Sequence, residues 1–340
     1  MADSKKGYIS VLNVIACLAV VMLHANDVFW EFSRERYWVT ANLIESVCYF
    51  AVPIFFMSSG ATLIDYRKRY GTKLYMKKRF GKTFIPFLFW SFFGLFYLCI
   101  TGKMELGHLN VSTVFESVLN TEYVPIYWFF PALFTVYFCI PIFGLIPEAQ
   151  RKKVFGYIIA ISFLLNSLCP FLSGLLGIQY NYGFIMPLGN NYLIYILIGY
   201  YLDQYDIKKG VRVSIYVLGL VGLCMHCLGT WYCCWQTGYI VQTFKGYLNV
   251  PCILYSSAVF LAFRSFRFRQ HSSRIFDKLS GLTFGIYLIH WYFFDAILTF
   301  TEVNRYSIIY RVLGGVGVFV VSGILIRLLK KLSWGRMLVP

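Results

Sequence analysis

The sequence predicts an all-α integral membrane protein, a bundle of about ten transmembrane helices with both termini on the cytoplasmic side. Three observations lead there. Of 340 residues, 59% are hydrophobic and 14% charged, so the chain carries more apolar surface than one soluble core can hide. A bilayer accepts such a chain provided its backbone polar groups are satisfied inside helices. The apolar runs are long and unbroken, whereas strands of a membrane barrel would alternate every second residue. Lys and Arg fall in short clusters between the runs, and connections rich and poor in them alternate along the chain.

Windows of about twenty residues place spans near 8–30, 43–64, 84–101, 125–146, 154–176, 183–202, 213–233, 247–263, 281–301 and 306–329. With the N-terminus inside, the inner segments hold 25 of the 31 Lys and Arg residues, including Lys5, Lys6 and the run from Arg67 to Lys82. The outer side keeps Arg34, Arg36, Lys103, Lys245, Arg305 and Arg311. One span more or fewer would scramble this alternation. Pro170 and Pro187 interrupt the fifth and sixth spans, and a polar stretch there contains Asn181, Asn190 and Asn191. The spans run evenly from end to end, so residues 1–340 read as a single transmembrane domain.

The net charge of +16 might suggest a nucleic-acid partner, but it is spread between spans rather than gathered on one face. Topology accounts for it, and no nucleic-acid partner is expected. Most of the ten cysteines lie inside spans, where thiols behave as small apolar groups. Cys224 and Cys227 have a C-x-x-C spacing without a second ligand pair, so no metal site is expected. Cys233 and Cys234 are neighbours near an outer edge, with nothing to support a disulfide. The first apolar run spans and lacks a small-residue cleavage site, so it reads as a helix rather than a removable leader.

Ionisable side chains at membrane depth are costly and invite a functional explanation. His24 lies in the outer half of the first span. Asn13 precedes it by eleven residues, which on a helix is about 20° beyond three turns and about 16 Å of rise. The two therefore share one helix face. Asp27, three residues further on, is expected on nearly the same face, where a carboxylate would hold the imidazole tautomer and raise its basicity. The alternative is a histidine that merely hydrogen-bonds a neighbouring helix.

Further along stand Val52-Pro53-Ile54-Phe55-Phe56-Met57-Ser58-Ser59-Gly60, then a basic loop ending Lys77-Lys78-Arg79-Phe80-Gly81-Lys82. Trp128, Tyr137 and Pro141 share one span, and Tyr287-Leu288-Ile289-His290 lies in the ninth. In this order and on this topology, together with His24, the chain resembles the acyltransferase family 3 membrane proteins over essentially its whole length. The resemblance implies an O-acyltransferase that draws on cytoplasmic acyl-coenzyme A, acetyl-coenzyme A above all. It would acylate a hydroxyl of a cell-surface glycan or related acceptor, at the plasma membrane of a bacterium. It makes His24 the general base or acyl carrier, with Asp27 orienting it. The family's first-span basic position falls on Asn13, which can hydrogen-bond but carries no charge. Its cytoplasmic arginine pair falls on Arg79 and Lys82, cations suited to the donor's phosphates. Lys5 and Lys6 are further candidates for the missing base.

Ser58, Ser59, Trp128, Tyr287, His290 and Glu45 are candidates to line a cavity, although packing is the plainer role for each. His290 and Asp295 have the H-x4-D spacing of glycerolipid acyltransferases, but five helical steps set them about 140° apart, too far round for a dyad. A transporter or flippase of a lipid-linked glycan or small polar solute is the alternative, with His24, Asp27 and Glu45 along its path.

Overall fold

The computed structural model describes residues 7–105, 107, 110–266 and 270–340, and for residues 270–273 the backbone alone. Lys5 and Lys6 lie outside the described residues. The chain is 78% helical, with no strand among the described residues. In order, the helices are α1 Gly7–Ala25, α2 Arg36–Lys68, α3 Thr72–Ile100, α4 Val111–Leu119, α5 Pro125–Leu145 and α6 Glu148–Leu176. They continue with α7 Leu193–Gln204, α8 Lys209–Thr237, α9 Val250–Ser265, α10 Gln270–Ser280, α11 Thr283–Phe300 and α12 Tyr310–Leu329. Among the described residues, eight are long and apolar enough to cross a membrane: α1, α2, α3, α5, α6, α8, α11 and α12. The remaining two expected spans are shorter helices, α9 of 16 residues and α7 of 12.

The sixth expected span, 183–202, is helical only from Leu193. Pro187 lacks a donor and opens only a 3₁₀ turn, and Asn191 takes a left-handed φ of 49°, so no α-helix runs through them. The irregular chain before α7 is held by side chains instead. Asn166, in a π-turn of α6, donates to the Met186 carbonyl at 3.0 Å and accepts from its N–H at 2.8 Å. Helix α7 is thus only about 18 Å long, and Leu193 to Tyr200 are all buried. It is an interior helix.

Helices α2 and α7 cross where both carry glycine. A Cβ on Gly60 would lie 1.9 Å from the Ile196 carbonyl oxygen, and one on Gly199 would lie 2.1 Å from that of Met57. The backbones touch, so the residue at each position must be glycine. A second local adjustment occurs in α5, where Pro141 deprives the Tyr137 carbonyl of its helical donor. The Tyr75 hydroxyl of α3 donates to that carbonyl at 3.3 Å.

One apolar cluster runs from Ile9 to Val339 and includes α1, α2 and α7 at its centre. Helices α3, α6, α8 and α12 turn large apolar side chains outward, among them Phe92, Phe96, Leu220 and Ile324. That is the surface a bilayer covers. The end of the bundle bearing Arg67 to Lys82 and Arg151 to Lys153 is called the basic end below, and its opposite the far end. At the basic end Arg151 pairs with Asp65 at 2.5 Å and donates to the Tyr200 hydroxyl at 3.0 Å, tying α6 to α2 and α7. At the far end the buried Arg311 donates to Asn26, the Tyr37 carbonyl and Thr40, fastening α12 to α1 and the start of α2.

Candidate active site

A cavity of about 370 Å³ lies inside the bundle. Helix α1 contributes Asn13, Val20, Leu23 and His24, steps of seven and then three or four that keep one face inward. Helix α2 contributes Glu45, Tyr49, Val52 and Phe55 by the same rule. Ile126, Trp128 and Phe129 enter from the start of α5, and Thr283, Phe284 and Tyr287 from the start of α11. Trp30, after α1, and Tyr247, before α9, complete it. Helix direction orders these residues along the membrane normal. Asn13, Thr283 and Phe284 sit toward the basic end; His24, Trp30, Trp128 and Tyr247 sit toward the far end. The cavity therefore joins two levels that are about 16 Å apart along α1.

His24 is half-buried in this wall. The ring beside it belongs to His290 of α11, with centroids 5.1 Å apart and planes at 41°. His290 is fully buried, and its Nδ1 lies 3.1 Å from the Ile286 carbonyl oxygen. A carbonyl only accepts, so Nδ1 carries the proton and Nε2 keeps a lone pair. That Nε2 has no hydrogen-bond partner among the described residues. An imidazole held in one tautomer by its own helix, with the other nitrogen free, is suited to accept a proton or a hydrogen bond.

The expectation for Asp27 is not met. Helix α1 ends at Ala25, and Asp27 opens a 3₁₀ turn instead of continuing the helical face. Asn26 binds the Ala41 carbonyl at 2.9 Å and turns the chain there. Asp27 pairs with Arg305 at 3.4 Å on a half-exposed edge, and no hydrogen bond joins it to His24 among the described residues. Burial pushes its carboxyl pKa up, with Arg305 opposing. Asp295 also lies away from the histidines: α11 is unbroken, and Asp295 is bound by Lys103 at 2.7 Å and Tyr97 at 2.8 Å.

Glu45 and Trp128 line the cavity, as does Tyr287, whose hydroxyl binds the Ile126 carbonyl. Trp128 stacks on Tyr247 at 5.6 Å. Ser58, Ser59 and His290 do not line it; His290 packs fully buried behind His24. Ser59 returns its hydroxyl to the Phe55 carbonyl at 2.9 Å, and Ser58 is buried beside the Gly60 crossing. Toward the basic end, Asn13 presents an Oδ1 with no partner among the described residues. Arg79 is half-buried against the Tyr137 hydroxyl, and its Nε has no partner among the described residues. Lys82 is exposed nearby. Burial first, and then the Lys82 charge, push the Lys330 ammonium pKa down. Lys82 and Lys330 thus lie near the start of α11, where Lys330 donates to the Gly281 carbonyl at 2.6 Å, and Arg79 stands one turn before Lys82 in α3.

Sequence reasoning counted Lys245 only as an outer-loop cation. In the structure it is 1% exposed and pairs with Glu45 at 2.8 Å. Burial pushes its ammonium pKa down, while Glu45 opposes that shift. An acid inside a span calls for a nearby base, which was the available signal for this pairing. Trp30, Tyr49 and Tyr247 had no comparable signal among 27 tyrosines and eight tryptophans.

Among comparisons with known proteins, a family model described as an acyltransferase domain, that of acyltransferase family 3, matches residues 6–327. No curated protein and no solved structure matches the chain. The family match covers nearly the whole chain and every helix around the histidine pair. The chain belongs to acyltransferase family 3 and is a multi-pass membrane acyltransferase.

Proposed function

We propose that the protein transfers an acyl group, acetyl in the first instance, from acyl-coenzyme A to a hydroxyl of a cell-surface glycan or related acceptor. The reaction joins R–OH and acyl–S–CoA and yields the ester and CoA–SH. His24 takes the hydroxyl proton as the oxygen attacks the thioester carbon, and returns it to the departing thiolate sulfur. Arg79, Lys82 and Lys330 hold the donor's phosphates at the basic end, which faces the cytoplasm, and the acceptor enters from the far end. The setting is the plasma membrane of a bacterium.

The observation that carries this reading is His24 in the wall of a cavity joining the two levels, against the fixed tautomer of His290. Family membership supports the acyl-transfer class. Asn13 supplies only a neutral acceptor oxygen near the basic end, so donor charge falls to the cations around Arg79.

The test is free-thiol release from acetyl-coenzyme A by the purified protein in lipid nanodiscs, with and without a glycan extract. Release that is lost in His24→Ala supports acyl transfer. Absence of both thiol release and coenzyme A binding would favour transport of a polar solute through the same cavity.

A further inference from the structure

We propose that Glu45, clamped by Lys245, receives a hydroxyl of the acceptor other than the one acylated, and confines the acceptor to molecules that are uncharged around that hydroxyl. This rests on the acyl-transfer reading above and adds the group that chooses the acceptor.

The pair is built for one face. Glu45 is 3% exposed, and its Oε1 takes the Lys245 ammonium at 2.8 Å. Its other oxygen, Oε2, has no partner among the described residues, yet Glu45 lines the cavity. A buried carboxylate oxygen without a donor is costly, and a donor brought in by a ligand relieves that cost.

Lys245 is held from every side. Its Nζ lies 3.9 Å from the ring centre of Tyr49, 4.3 Å from that of Phe29 and 5.2 Å from that of Trp30. The Asn249 side chain fastens the loop that delivers it, donating to the carbonyls of Gln242, Thr243 and Lys245. The ammonium is thus committed to Glu45 and the rings, and Oε2 is the polar atom left for a ligand.

Charge then decides what fits. Lys245 already balances Glu45, so a third charge of either sign beside the pair would be buried without compensation. A neutral hydroxyl donates to Oε2 at no such cost. Trp128, stacked on Tyr247, offers an aromatic face to the apolar side of the same molecule.

The probes are methyl β-D-glucopyranoside and its carboxylate counterpart, methyl β-D-glucuronide. Binding is read by tryptophan fluorescence and saturation-transfer NMR on the purified protein in nanodiscs, without acyl donor. The glucoside is expected to bind at least tenfold more tightly than the glucuronide. Because E45Q alone strands a buried ammonium, the variant is the E45Q/K245M pair, which removes both charges together. It should weaken glucoside binding at least tenfold, because the Oε2 acceptor is gone. Equal binding of the two glycosides by the unaltered protein overturns the proposal. So does binding of neither, or an E45Q/K245M protein that binds the glucoside as tightly as the unaltered one. Thiol release measured in parallel separates the two readings: release without discrimination sinks only the role of Glu45, and discrimination without release sinks only the acyl transfer.

Discussion

His290 binds the carbonyl of Ile286, one turn earlier in its own helix, and lies with its ring centre 5.1 Å from that of His24. The hydrogen bond fixes a proton on Nδ1 and leaves Nε2 as a base beside the wall that His24 occupies. Two imidazoles, from the first and the eleventh helices, meet where the sequence places a carboxylate.

Replacing either histidine should therefore separate their roles. His24→Ala is expected to lower thiol release by about 10²–10⁴-fold, the usual range for losing a general base. His290→Gln, which keeps a polar side chain, should cost less, about tenfold, with KM for the donor unchanged. Steady-state thiol release in nanodiscs checks both, and a silent His24→Ala would remove it from the mechanism.

Asp27 is expected to matter little. Its partner is Arg305 on a half-exposed edge, and exposed pairs contribute about 0–1 kcal/mol. Asp27→Asn should change turnover less than threefold and leave the thermal midpoint nearly unaltered. A loss as deep as that of His24→Ala would show that the carboxylate serves the imidazole after all.

The donor site predicts a selective change in KM. Arg79→Gln should raise KM for acetyl-coenzyme A about tenfold, close to the 1.4 kcal/mol of one charge-assisted hydrogen bond. Acetyl-3′-dephospho-coenzyme A should lose less on the same substitution if Arg79 meets the 3′-phosphate. Equal losses for the two donors would place Arg79 on the diphosphate, and no change in either would exclude it from donor binding.

The crossing of α2 and α7 predicts a sharp contrast between glycines. Gly60→Ala puts a methyl 1.9 Å from the Ile196 carbonyl oxygen, so the helices must part, at a cost of about 1–3 kcal/mol. Gly71→Ala meets nothing within 4 Å and should be neutral. Thermal unfolding of the two variants in the same lipid checks the pair.

Tyr75→Phe tests the adjustment at Pro141. Removing the hydroxyl leaves the Tyr137 carbonyl without its donor, which should cost about 1–3 kcal/mol. A midpoint equal to that of the unaltered protein would mean that water or another group replaces it.

Composition and spacing alone establish the membrane class, the placing of most spans and the face of α1 that carries Asn13 and His24. These depend on local quantities: run length, charge clusters and the 3.6-residue turn, which hold wherever a helix forms. The end of α1 was less legible. Helical steps place Asp27 beside His24, but Asn26 reaches the Ala41 carbonyl and turns the chain away. The sixth span failed similarly, because a side chain of α6, Asn166, holds the Met186 backbone outside any helix. That His290 faces His24 and that Lys245 meets Glu45, 200 residues apart, is visible only in the folded chain. Both pairings join helices or loops distant in the chain, and no local spacing encodes which faces meet. Packing selects them, because a buried charge or imidazole nitrogen must find its partner from whatever the fold brings alongside.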